Sequence, residues 1–444
     1  MIKLIGDFFT KYKNEMVSIL YKANRSDFDP KGMISYLGSN DIYKMSNMLP
    51  MHQYLCVICS LEQFIKDNNI NINIAASDED LDENSFPSYK KIKIDNNTDK
   101  VVPNEFAYAC SIDDFKFLIK CEQGYSMSSE PKTGKIIIYS LRKDETKVNE
   151  LYDKIDKLHK ENNILKNKVL DGSGSVIDIE KLDWDNIVLP ESKVKIIKQN
   201  TQDLFNKIPL LNKYGINVKR GLLISSEPGM GKTCLGKILA NTTDCTFIWI
   251  SPGFLTAQNV NGIYQIARDL APTIVFLEDL DLYGAERESN HNSQTLGELM
   301  NQLDGIESNN NVITIATTNK LEIIETALKN RPGRFDRIIT IDAPNKDCIK
   351  RMVQSFTKNI DITNVKLDSI ADLAKGLSGA HIKYLVDSAI INAIDINVLD
   401  PNDNTLLLYT ENFENVIKTV KDIKIQPQMG FRPRANIFDC DEED

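Results

Sequence analysis

The stretch Ser226-Glu-Pro-Gly-Met-Gly-Lys-Thr233 separates a short apolar run, residues 221–225, from the helical pattern of residues 234–240. This order is typical of a strand, a glycine turn and a helix. The backbone N–H groups of such a turn, at the positive end of a helix dipole, can bind phosphate groups. The stretch therefore predicts a phosphate-binding loop; a glycine turn that binds no nucleotide is the alternative.

Several residues of this stretch are expected to contact a bound nucleotide. Lys232 would reach the β- and γ-phosphates of a nucleotide, and the Thr233 hydroxyl would hold Mg²⁺. The other residues expected to bind nucleotide here are Pro228, Gly229, Met230, Gly231 and Cys234. Ser226 stands where the usual motif has its first glycine.

Composition limits the class of protein. A chain of 444 residues with 42% hydrophobic and 26% charged residues is expected to fold into two or three globular domains. The net charge of -10 argues against a surface that binds nucleic acid along its whole extent. The apolar segments are shorter than the ~20 residues that span a bilayer, and the first residues lack a signal peptide. We therefore expect an intracellular, cytoplasmic protein with no membrane span.

Residues 1–142 are expected to form an α+β accessory region. Helical spacing extends from residue 1 to about residue 74. Short strands are predicted at residues 91–94, 115–119 and 135–140.

Residues 143–177 are expected to form a coiled-coil-like helix and a flexible linker. Inward positions at alternating steps of three and four are Val148, Leu151, Ile155, Leu158, Asn162, Leu165 and Val169. Two structures fit so short a repeat: a coiled coil between helices, or one amphipathic helix packed on its own chain. The stretch Asp171-Gly-Ser-Gly-Ser175 predicts the flexible joint.

From residue 178 onward, apolar strands alternate with helical patterns, which predicts a parallel sheet covered by helices. The strands are expected at residues 221–224, 246–250, 273–277, 312–316 and 338–341. Ligands bind at the carboxyl ends of such strands.

Polar side chains follow two of these strands. Glu278 and Asp279 come directly after residues 273–277, and Asn319 follows residues 312–316. One carboxylate can hold Mg²⁺ while its neighbour polarises an attacking water, and the amide can bind both the water and the γ-phosphate. A solvated turn is the alternative for the two acids.

Three arginines follow at steps of three: Arg331, Arg334 and Arg337. An arginine that reaches the γ-phosphate of a neighbouring subunit can raise the rate by about 10³ to 10⁵. The alternative is a basic loop that pairs with local acids.

The order of these motifs resembles the AAA family of ATPases, within the AAA+ superclass. The resemblance covers residues 178–424. It rests on Gly229-Met-Gly-Lys-Thr233, Phe276-Leu-Glu-Asp-Leu-Asp281, Thr317-Thr-Asn319 and Arg331-Pro-Gly-Arg-Phe-Asp-Arg337. It implies an α/β P-loop core at residues 178–345, a helical lid at residues 346–424, and a homo-oligomeric ring, usually of six copies, with ATP at each subunit boundary.

The resemblance also implies roles for particular residues. Lys232 and Thr233 would bind phosphate and Mg²⁺, and Glu278 would be the carboxylate on the metal side. Asp279 would activate water, Asn319 would sense the γ-phosphate, and Arg331 and Arg334 would act in trans. Gly379 and Ala380 belong to a lid motif near the adenine and ribose, in which His381 replaces the usual aspartate.

Three features depart from the usual family pattern. The acids stand in the order Glu278-Asp279, as in the mitochondrial branch that translocates a folded iron–sulfur protein, and we expect slow turnover. Phe254 is a candidate for the aromatic residue of a pore loop, with packing under its strand as the alternative. Residues 425–444 form an acidic tail, unlike the tail with which proteasome-activating rings dock.

The leading hypothesis is therefore an ATP hydrolase that forms a ring and remodels a protein partner recognised by residues 1–142. The alternative is a nucleotide-gated scaffold or regulator in which hydrolysis is a slow reset. A nucleic-acid motor is disfavoured by the acidic balance of the chain.

Overall fold

The computed structural model describes residues 30–76, 88–95, 98–125, 131–216, 218–283, 290–304, 309–328, 335–396 and 406–425. Residues 30–161, which cover the accessory region and the helix that follows it, contain three α-helices and six strands in these ranges. They are α1 (Pro30–Leu37), β1 (Ile42–Pro50), α2 (Met51–Asp67), β2 (Asn71–Ala76), β3 (Ser88–Asp95), β4 (Thr98–Ile112), β5 (Phe115–Tyr125), β6 (Pro131–Leu141) and α3 (Glu145–Glu161).

The accessory strands form one antiparallel sheet. Its order is β1-β6-β5-β4-β2, and β3 pairs with the first half of β4. Helices α2 and α3 share an apolar core with the sheet, in which Tyr54, Phe106 and Phe117 are fully buried. The prediction of an α+β region is confirmed. The helical spacing read across residues 42–50 was wrong, because this segment is strand β1 and pairs with β6 from Leu141 back to Thr133.

The predicted helical repeat ends early. Helix α3 stops at Glu161, and its inward side chains Val148, Leu151 and Ile155 are buried against α2 and the accessory sheet. Leu165 instead lies in the core of the next domain, and Val169 begins a strand. The structure therefore has an amphipathic helix packed on its own chain in place of a repeat running to Val169.

The predicted joint at residues 171–175 is a tight turn in the structure. The Asp171 carboxylate accepts hydrogen bonds from the backbone N–H groups of Ser173 (2.8 Å) and Ser175 (3.0 Å). The ring of Phe254 lies so close to Gly172 that a Cβ there would be 2.2 Å from its Cε1 atom. Phe254 thus contacts this turn while 39% of the residue is exposed, and its assignment to a pore loop stays a prediction.

The large α/β domain has these elements: β7 (Val169–Asp171), α4 (Glu191–Asn200), α5 (Gln202–Phe205), α6 (Ile208–Lys213), β8 (Lys219–Ser226), α7 (Lys232–Thr242), β9 (Thr246–Ile250), α8 (Val260–Asp269), β10 (Thr273–Leu277), α9 (Asn290–Asp304), β11 (Val312–Thr318), α10 (Leu321–Leu328) and β12 (Arg337–Ile341). Five strands lie where the sequence predicts them.

All pairs in this second sheet are parallel, in the order β12-β8-β11-β10-β9-β7. One apolar core lies under α4 and α7, and another lies under α8 and α9. Strands buried on both faces explain the nearly continuous apolar runs of β9 and β10. The carboxyl ends of β8, β11 and β10 are adjacent, so the residues that follow them meet at one edge.

A small helical lid completes the described chain. It contains α11 (Lys346–Phe356), β13 (Asp361–Asn364), α12 (Leu367–Leu373), α13 (Gly379–Ile396), β14 (Leu407–Tyr409) and α14 (Thr410–Ile425). Its helices bury a core of their own around Leu385, Phe413 and Val420. Within the described ranges, every helix is too short or too polar to cross a membrane.

The accessory region contacts the large domain through α2 and α3. The Gln53 amide donates a hydrogen bond to the Asp269 carboxylate at the end of α8, and Cys56 lies in the core beneath α8. The ring of His159 is buried at this contact. Its Nδ1 atom has no hydrogen-bond partner among the residues that the structure describes.

Burial lowers the pKa of His159, against the opposing effects of Asp156, Asp269 and the Cys56 backbone and with a minor contribution from Lys160. The folded chain thus favours the neutral ring. The unfolded chain takes up a proton near pH 6.5, so this histidine should leave stability intact at pH 7.5 and reduce it progressively as the pH falls below about 6.5.

A His159→Gln variant should lose this contribution, and chemical denaturation at pH 7.5 and 5.5 would measure it. Glu62 acts in the opposite sense, because burial raises its pKa to about 7. Because Glu62 is present in both chains, its effect cancels when the pH-dependent change in unfolding free energy of the variant is subtracted from that of wild type. An equal change in unfolding free energy for both chains would contradict the prediction.

Candidate nucleotide site

The loop between β8 and α7 depends on two glycines. Gly229 and Gly231 have φ angles of +78° and +88°, a conformation that residues with a Cβ adopt at a cost. Gly231 also precedes the first residue of α7. The unpaired N–H groups at the start of this helix therefore border the loop, as phosphate binding requires.

The amine of Lys232 is buried at the edge of the sheet, with 8% of the residue exposed. It donates hydrogen bonds to Asn319 Oδ1 (2.6 Å) and to Ser226 Oγ (3.1 Å). Burial lowers the pKa of Lys232, and the nearby Asp279 and Asp281 oppose this effect. Ser226, which departs from the usual motif, thus supplies an acceptor for this amine.

Two donors hold the Glu278 carboxylate. The Thr233 hydroxyl donates to Oε1 at 2.7 Å, and the indole Nε1 of Trp249 donates to Oε2 at 3.1 Å. A hydroxyl beside a carboxylate oxygen is a donor set suited to Mg²⁺ and its waters.

Asp279 and Asn319 form a second polar pair. The Asn319 Nδ2 atom donates to Asp279 Oδ1 at 3.1 Å. Asp279 has a φ of +48°, and its N–H donates to the Thr317 hydroxyl at 3.0 Å, which helps to hold this uncommon conformation. Asp281 accepts hydrogen bonds from Thr318 Oγ1 and from the Asn319 backbone N–H, both at 2.9 Å. The Asn319 amide is therefore oriented from both sides.

The lid contacts the loop directly. The N–H of Ala380 donates to the carbonyl oxygen of Gly229 at 2.9 Å. Ser378 Oγ lies 2.6 Å from the Nδ1 atom of His381, one turn into α13. His381 thus supports Ser378, which directly precedes Gly379.

The structure brings most of the predicted site residues to one edge of the sheet. Hydrogen bonds join Lys232, Asn319 and Asp279 in one group and Thr233 and Glu278 in another, and Gly229, Gly379 and Ala380 lie at the lid contact. Pro228 lies within the loop, whereas the Met230 side chain is buried in the core below it. The Cys234 thiol lies 3.9 Å from the carbonyl oxygen of Asn186. Arg331 and Arg334 lie outside the described residues.

Sequence reasoning did not assign roles to Trp249 and Asp281. Asp281 stood in the quoted acidic motif, two residues after Asp279. Trp249 is the fourth residue of β9, next to the strand that carries both acids. Its only signal was its place near the carboxyl end of a neighbouring parallel strand.

Residues 222–343 match the family model described as "ATPase family associated with various cellular activities (AAA)". This part of the chain is an AAA domain. The match spans β8 to β12, so it includes every polar side chain of the site except those of the lid. The resemblance inferred from the motifs is confirmed at the level of the AAA family, and the comparisons do not address a particular branch.

Three curated relatives share this domain. The chain is 33% identical over 218 residues to a proteasome-activating nucleotidase of Methanothermobacter thermautotrophicus, which covers 46% of the chain and 53% of the relative. It is 34% identical over 218 residues to the ATP-dependent zinc metalloprotease FtsH 2 of Thermoanaerobacter sp.. This alignment covers 47% of the chain and 41% of the relative. It is 32% identical over 235 residues to a proteasome-activating nucleotidase of Thermococcus gammatolerans, which covers 49% and 58%.

The similarity thus spans about half of each relative. On this chain, the family model matches residues 222–343.

A Gly229→Ala variant should bind nucleotide about ten-fold more weakly, since the left-handed conformation costs alanine about 1–2 kcal/mol. The added Cβ would also lie 2.8 Å from Ser378 Oγ and 2.9 Å from the Ala380 Cβ of the lid. Equilibrium binding of a fluorescent ADP analogue would measure the loss.

Gly262→Ala is the matched control, because a Cβ at this α8 position meets nothing within 4 Å. It should bind the analogue as wild type does. Equal affinity of the Gly229→Ala variant and wild type would contradict the proposed role of the loop.

Proposed function

We propose that this chain binds ATP with Mg²⁺, hydrolyses it, and uses the cycle to remodel a protein partner. The observation that carries the proposal is the convergence of Lys232, Thr233, Glu278, Asp279 and Asn319 beside a glycine loop that α7 extends. A buried amine, a hydroxyl, two carboxylates and an amide at the mouth of such a loop fit a magnesium nucleotide in charge and in donor type. The AAA domain of the chain supports the same conclusion.

The residues divide the work of hydrolysis. Lys232 would bind the β- and γ-phosphates, and Thr233 and Glu278 would hold Mg²⁺ and its waters, where the metal would neutralise charge on the phosphate oxygens. Asp279 accepts the proton of the attacking water, and the hydrogen bond from Asn319 orients its carboxylate.

Nucleotide binding and the sensor are connected through Lys232. In this structure its amine donates to Asn319 Oδ1 at 2.6 Å. Phosphate oxygens compete for the same amine, so binding of the triphosphate frees the Asn319 amide to turn toward the γ-phosphate. Because Ala380 of the lid donates a hydrogen bond to Gly229 of the loop, a shift of the loop also shifts the lid.

The order Glu278-Asp279 supports slow turnover. Aspartate is one C–C bond shorter than glutamate, about 1.5 Å, and proton transfer is sensitive to such a distance. The same order in the mitochondrial branch named above indicates that it is compatible with hydrolysis.

An Asp279→Asn variant should bind ATP with nearly unchanged affinity and hydrolyse it at least about 10²-fold more slowly, because the amide cannot accept the proton. Steady-state release of phosphate would measure the rate. Asp244→Asn is the control, since Asp244 is exposed in the turn after α7. Equal rates for wild type and Asp279→Asn would overturn hydrolysis by this site and favour the alternative of a nucleotide-gated scaffold. The observation that specifically supports this alternative is that Asp279 has a shorter side chain than glutamate.

We further propose that the chain forms a homo-oligomeric ring whose partner protein is recognised by residues 1–142. Two exposed apolar faces support the ring. One comprises Leu210, Tyr214 and Ile216 at the end of α6, where Tyr214 is 73% exposed. The other comprises Tyr384, Ile391 and Ile394 of α13, where Ile391 is 60% exposed and the helical spacing puts all three on one side. Apolar faces of this kind mark contacts between proteins.

An Ile391→Glu substitution should shift the assembly toward monomers, since it places a charge on the α13 face. Sedimentation velocity with a non-hydrolysable ATP analogue would measure the shift. Lys418→Glu, at an exposed position of α14, is the control and should assemble normally. Unchanged assembly of the Ile391→Glu variant would contradict a role for this face.

A further inference from the structure

The Trp249 side chain lies between the sheet and the helix of the phosphate loop. It is 8% exposed, and its ring centroid lies 4.9 Å from that of Phe276 and 5.9 Å from that of Phe247. A Cβ on Gly236 of α7 would lie 2.9 Å from the Cη2 atom of the indole. The ring is therefore confined on both sides.

This confinement aims the single polar atom of the indole. Nε1 donates to Glu278 Oε2 at 3.1 Å, while Oε1 faces the Thr233 hydroxyl. An indole N–H can only donate, so it holds one oxygen of the carboxylate and leaves the other oxygen toward Thr233. The hydrogen bond from Trp249 involves no atom of the phosphate loop. It can therefore persist when the Thr233 hydroxyl binds a metal ion and no longer donates to Glu278.

We propose that Trp249 is a positioning residue for magnesium, which it serves through Glu278; this inference rests on the proposed function. Glutamate has one more rotatable bond than aspartate, so the Glu278 carboxylate has more positions open to it. The hydrogen bond from Trp249 restricts that freedom and keeps Oε1 directed toward Thr233.

Packing alone does not require the indole nitrogen. Phenylalanine at position 249 keeps an aromatic ring against Phe247 and Phe276 and removes only the donor and part of the ring area. Loss of an outer partner of a metal ligand typically weakens metal binding by about 10- to 100-fold. The effect of Trp249→Phe should therefore appear in the magnesium dependence and not in the binding of nucleotide without metal.

The test measures the affinity of the full-length chain for a non-hydrolysable ATP analogue by calorimetry, at graded free Mg²⁺ and in EDTA. For Trp249→Phe, the Mg²⁺ concentration at half effect should rise about ten-fold or more, with the affinity in EDTA unchanged. Trp184→Phe is the matched control, because the chain has two tryptophans and the Trp184 indole donates to Gln202, away from Glu278. It should show the wild-type magnesium dependence.

A second measurement does not depend on a change at position 249. The Trp184→Phe chain retains Trp249 as its single tryptophan, so its emission reports on that indole. Adding Mg²⁺ to this chain with the analogue bound should shift the emission. Unchanged emission, or equal magnesium dependence of Trp249→Phe and wild type, would overturn the positioning role. If wild type bound no analogue at all, the proposed function itself would fail.

Discussion

The buried amine of Lys232 is the group on which the arrangement of the site depends. A charge removed from water needs acceptors nearby, and the strand order supplies them, because β8 lies next to β11, which Asn319 follows. Asp281, which follows β10, holds the Asn319 backbone in turn. Lys232, Asn319, Asp279 and Asp281 are thus joined in one hydrogen-bond network across three adjacent strands, and Glu278 is held separately by Thr233 and Trp249.

The same network extends toward the lid and the accessory region. Gly229 meets the lid at Ala380 and Ser378. On the other side, the Tyr283 hydroxyl, two residues after Asp281, accepts a hydrogen bond from the Gly253 N–H at 2.8 Å. Phe254, the next residue, packs on the turn that follows β7. The acids after β10, the lid and the turn after β7 therefore lie within a few short contacts of one another, which suits the proposed coupling of nucleotide state to movement.

Most of the AAA domain was predictable because its signals are local. The glycine loop needs positive φ angles, and strands buried on both faces read as apolar runs such as residues 273–277. The polar residues of the site follow those strands directly. The helical repeat was overextended for the opposite reason. Leu165 and Val169 continue its spacing, yet Leu165 is buried in the core of the large domain and the half-buried Val169 pairs with β9. Spacing records that a residue is apolar and does not record its partner.

By itself, the sequence determined the phosphate loop, the parallel sheet, the pair of acids and the AAA family. These features depend on residue types at fixed separations along the chain. Only the tertiary structure decided that α3 packs on its own domain, that Phe254 rests on Gly172, and that Trp249 reaches Glu278. Each of these contacts joins segments that are far apart along the chain, and no repeating sequence pattern links them. Such contacts are determined by which surfaces remain to be buried when the domains pack.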